Sequence, residues 1–61
     1  MNVEHLTIGQ PDADGWLAVN DAGQRRHVPA SARGDFRLLR VGQRVRAESD
    51  AAGAVVRVDL P

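Results

Sequence analysis

The chain has 61 residues, with eight arginines, eight acids, no lysine and no cysteine, and its formal net charge is zero. Such a length holds one domain, expected over residues 1–61, which buries only about 60% of the surface exposed on unfolding. The absence of cysteine excludes disulfides and thiolate zinc sites. The apolar runs are too short to span a bilayer, and Met1 to His5 lacks the basic start and apolar run of a leader. A cytoplasmic protein with no membrane contact is expected.

In chain order, Val3 to Ile8 reads as a first strand, with Leu6 and Ile8 on one face and His5 and Thr7 on the other. Asp12-Ala13-Asp14-Gly15 is a turn, because Asp caps the first position and Gly reaches positive φ at little cost. Trp16 to Asn20 is a second strand, whose alternation sets Leu17 and Val19 inward and Trp16 and Ala18 outward. Asn20-Asp21-Ala22-Gly23 repeats the turn pattern, and Arg25 to Val28 forms a third strand stopped by Pro29. From Ala30 to Gly42 runs a loop with one helical turn near Ser31-Ala32, anchored by Phe36, Leu38, Leu39 and Val41. Gln43 to Glu48 is a fourth strand with Val45 and Ala47 inward. The turn Asp50-Ala51-Ala52-Gly53 leads to a fifth, Ala54 to Leu60, with Val56, Val58 and Leu60 on one face. The expected core is Leu6, Leu17, Val19, Val28, Val45, Val56 and Val58, with Ile8 and Leu39 beside them. Five short strands at this spacing predict an all-β, five-stranded antiparallel barrel.

Charge is segregated along the chain. Seven of the arginines lie between Arg25 and Arg46, where Asp35 is the only acid, so seven cations against one anion give that stretch a formal charge of +6. Arg25, Arg37 and Arg40 cluster without local acids and predict a positive patch near the third strand. The competing reading is a solvated face on which a barrel folds the acidic flanks back over the basic middle. Catalytic chemistry has no frame here: no paired carboxylates are set for acid–base work. His5 and His27 without cysteine make no metal cluster, and no glycine-rich phosphate loop is present. Neither enzyme activity, nor a cofactor, nor a metal is expected.

Several segments resemble the cold-shock domain family, whose fold is a five-stranded OB-type barrel. Asp14-Gly15-Trp16-Leu17-Ala18-Val19 stands where that family has Lys-Gly-Phe-Gly-Phe-Ile, and Arg26-His27-Val28-Pro29-Ala30-Ser31-Ala32 where it has Val-Phe-Val-His-Phe-Ser-Ala. Phe36-Arg37-Leu38-Leu39-Arg40-Val41-Gly42-Gln43-Arg44-Val45 matches Phe-Lys-Thr-Leu-x-x-Gly-Gln-x-Val in spacing. The resemblance implies single-stranded nucleic acid as partner, with Trp16, His27 and Phe36 as stacking rings and Arg25, Arg37 and Arg40 as phosphate contacts. It also implies that Arg26 stands at an inward position, so that either its head reaches the barrel rim or the register differs there. Ala18, Pro29 and Ala30 replace two aromatics and a histidine, Ile8 or Gly9 replaces a tryptophan, and Asp14 replaces a lysine. Each lost platform removes roughly 1–3 kcal/mol per base, so weak binding is expected. The alternative is a protein-interaction or self-associating barrel, a homodimer for instance, with Trp16 and Val55 as anchors.

Overall fold

The computed structural model describes residues 2–34 and 39–61. Five antiparallel strands, β1 (Asn2–Asp12), β2 (Gly15–Asn20), β3 (Arg25–Pro29), β4 (Arg44–Ser49) and β5 (Val55–Asp59), form one sheet in the order β3-β2-β1-β4-β5. A single 3-10 turn, Ala30–Arg33, follows β3. The sheet curls so that β3 and the 3-10 turn lie against β5, which brings its two edges together in a half-barrel of OB-like kind. The expected all-β architecture and the helical turn at Ser31-Ala32 are both present. β1 runs four residues beyond its expected end at Ile8.

Two of the three turns are built alike. In each, the side-chain Oδ1 of the leading residue accepts two backbone N–H groups: Asn20 from Ala22 and Gln24, Asp50 from Ala52 and Ala54. Gly23 and Gly53 follow at φ 82° and 89°, the left-handed position that closes a three-residue hairpin loop. The β1–β2 turn differs. There Ala13, not Gly15, takes the positive φ, at 52°. Gly15 is glycine for another reason: a Cβ on it would stand 2.0 Å from the carbonyl oxygen of Val28 on β3.

The core contains Leu6, Ile8, Val28, Leu39, Val45 and Val58 as expected. Three inward assignments are corrected. On β2 the faces are reversed: Trp16 and Ala18 are buried at 7% and 1% exposure, Leu17 is only half-buried, and Val19 is exposed. All four side chains are apolar, so alternation alone does not choose between the faces. Volume does, because Ala18, Ala32 and Ala47 leave room in the interior for one large ring. On β5, Val55 is buried and Val56 exposed. Val55 pairs with Ser49 and Arg57 with Glu48, so Val56 is an extra residue that rephases the strand. A second irregularity sits in β1, where Ile8 pairs with Ala18 and Pro11 with Trp16, leaving Gly9 and Gln10 opposite Leu17.

These assignments separate two valines adjacent in type but not in role. Val45→Ala is expected to cost roughly 1–3 kcal/mol in urea denaturation, whereas Val56→Ala should stay within about 0.5 kcal/mol of wild type. Equal losses would contradict the bulge. Ala13→Gly relieves a left-handed alanine and adds unfolded-chain entropy, for a net gain of roughly 0.5–1 kcal/mol by the same assay. A loss of stability would show that Ala13 carries no strain.

Candidate nucleic-acid interface

The outer face of β1–β2–β3 carries His5 and Thr7 on β1, Leu17 and Val19 on β2, and Arg25 and His27 on β3. Register sets these in rows: Thr7 beside Val19, Val19 beside Arg25, and Leu17 beside His27. On the other side of β1, Thr7 faces Arg44 of β4. Next to that row, Ile8 bonds through both backbone groups to Gly42 and Gln43, which fixes the Arg40–Gln43 turn against β1. The face is therefore a strip of apolar side chains on β2 with basic residues on either flank.

The residues singled out from sequence fall into three groups. Arg25, His27 and Arg40 are exposed. Trp16 is not: it belongs to the core, so its outward placement as a stacking ring is corrected, and Leu17, rather than Trp16, lies across from His27. Phe36 and Arg37 lie outside the described residues. Val55, the other anchor considered for a partner, is buried as well.

Acids from the flanks neutralise much of the basic stretch. Arg26 reaches the barrel rim and binds Glu4 through Nε at 2.9 Å, while Asn20 Nδ2 donates to the other oxygen of the same carboxylate. Arg44 binds both oxygens of Asp21, at 2.9 and 3.3 Å. Arg46 lies between Glu48 and Asp59, and Arg57 also binds Asp59. Among the described residues, Arg25 and Arg40 are arginines whose side chains meet no acid. His27 Nε2 lies 3.3 Å from Asp14 Oδ1 on the β1–β2 turn. Long-range pairs such as Arg44–Asp21 left no signal in the sequence, because they depend on which loops the barrel brings together.

Arg44, by donating its hydrogen bonds and by its charge, holds the Asp21 carboxyl below its ordinary value of 3.8, and its own guanidinium is pushed up in return. A depressed carboxyl contributes stability above its unfolded value, and that contribution disappears as pH falls through the folded value. No protein-family model, curated protein or solved structure matches the chain. Among the described residues there is no group of histidines or acids arranged to hold a metal ion, and no helix long and apolar enough to cross a membrane.

The Arg44–Asp21 pair is testable by acid titration. Asp21→Asn should lower the urea midpoint slightly at pH 7, and the difference from wild type should close below pH 3.8. A gap of unchanged size at pH 3 would show that the pair does not couple to folding.

Proposed function

We propose that this chain is a weak, sequence-independent binder of single-stranded nucleic acid in a cytoplasmic setting. In this reading it grips phosphates with Arg25 and Arg40 across the outer face of β1–β2–β3. The observation that carries the reading is that, among the described residues, Arg25 and Arg40 meet no acid on either flank of that face, whereas Arg26, Arg44, Arg46 and Arg57 are all paired. The OB-like strand order and the resemblance in sequence support it. Base stacking has a small part, since Trp16 is buried and the strip between the arginines is Leu17 and Val19. Affinity then rests on phosphate contacts, which release counterions and weaken with salt.

A second reading, a protein-interaction or self-associating barrel, draws on a different surface. Val56 and Leu60 are 47% and 74% exposed beside an open groove of 740 Å³ that β5 forms with Ser31, Ala32 and Gly34.

Anisotropy of a labelled oligothymidylate, measured from low to physiological salt, tests the first reading. Dissociation constants in the micromolar range or weaker are expected, with a log–log salt slope of about −1.4 for two contacts on a single strand. Arg25→Ala and Arg40→Ala should each flatten the slope by about 0.7. Trp16 emission, coming from the core, reports whether the protein stays folded. No binding at low salt by folded protein would end this reading, and a concentration-dependent mass under the same conditions would favour the second.

A further inference from the structure

We propose that the contact between Asp14 and His27 is a pH-dependent gate on the phosphate-binding face; the inference rests on the function proposed above. Asp14 sits on the β1–β2 turn, immediately beside the face, and its negative charge opposes phosphate. His27 is the group within reach of it, at 3.3 Å through Nε2. The remaining surroundings of His27 do not take over that role. Leu17 is opposite it on β2. Arg25, two residues earlier on the same face of β3, has no acid partner among the described residues. Arg26 is turned to Glu4 at the barrel rim. Of the elements packed on β3, the 3-10 turn carries Arg33, and β5 carries Arg57 and Asp59, which pair with each other.

Histidine is the side chain that ordinarily gains its charge between pH 5 and 8. With His27 neutral, the charge of Asp14 stands uncancelled at the end of the face next to His27 and opposes an incoming phosphate. With His27 protonated, the imidazolium cancels Asp14, Arg25 and Arg40 act on the ligand unopposed by it, and the charge of the face rises by one. Polyanion binding and proton uptake are then linked, and each must favour the other by the same factor. Both groups are open to solvent, with side-chain exposures of 44% and 80%, so the coupling is modest and the gate answers directly to the medium.

The experiment compares wild type, His27→Gln, Asp14→Asn and His5→Gln by anisotropy of labelled oligothymidylate at low salt, at pH 5.5 and 7.5. Trp16 emission verifies the fold in every sample. Wild type should bind about two- to five-fold more tightly at pH 5.5, the size of effect one exposed charge pair produces. The pH ratio should fall to about one in His27→Gln and persist in His5→Gln. Asp14→Asn, at an exposed turn position, should bind more tightly than wild type at pH 7.5 and show a reduced ratio. Binding that is independent of pH in wild type, or a ratio unchanged in His27→Gln, overturns the gate and leaves the binding function standing. Folded protein that binds at neither pH overturns both.

Discussion

The structure depends on one packing constraint, the enclosure of Trp16 by a curled five-stranded sheet. A tryptophan carries the largest apolar payload of any side chain, and in a chain of 61 residues it forms a substantial share of the interior. It fits because its inward neighbours Ala18, Ala32 and Ala47 are small. Gly15 lets β2 approach β3 closely just before it, and the 3-10 turn places Ala32 in the same core. The curl of the sheet, the small residues and the single large ring are parts of one arrangement. Once Trp16 faces inward, the outer face of β2 is Leu17 and Val19, and the surface available to a ligand changes character.

The second organising feature is the distribution of charge. A basic middle and acidic flanks are an unfavourable layout for a linear chain and a useful one for a barrel, because the flanks are β1, the β2–β3 loop and β5. Folding brings Glu4 to Arg26, Asp21 to Arg44, and Asp59 to Arg46 and Arg57. These pairs are exposed or half-exposed, so each adds little to stability. Their larger effect is electrostatic, since they offset the charge of Arg26, Arg44 and Arg46, three of the seven arginines in the basic stretch. Among the described residues, Arg25 and Arg40 remain as exposed cations that meet no acid, so the positive field left at the surface is local.

Much of this molecule was legible in the residues. All five strands, two of the glycine-closed turns and the helical turn at Ser31-Ala32 follow from local chemistry: β-branched runs, Asp or Asn capping, and Pro29 ending β3. The exposure of Arg25 and His27 was legible too, because a polar side chain on a strand edge has one comfortable side. The reversed face of β2 was not. Trp, Leu, Ala and Val are all apolar, and nothing within Trp16 to Asn20 ranks one alternation above the other. Val56 was misplaced for a related reason. A bulge shifts strand phase by one residue, and it is set by how Ser49 and Glu48 find partners across the ladder.

Composition and spacing by themselves therefore determined the all-β fold, its turns and its basic middle, since those properties reside in short stretches of chain. Only the tertiary structure decided which face of β2 is inside, which arginines are cancelled and which remain open. Those outcomes are contests between residues far apart in the chain, settled by volume in the core and by which acids the curled sheet brings within reach.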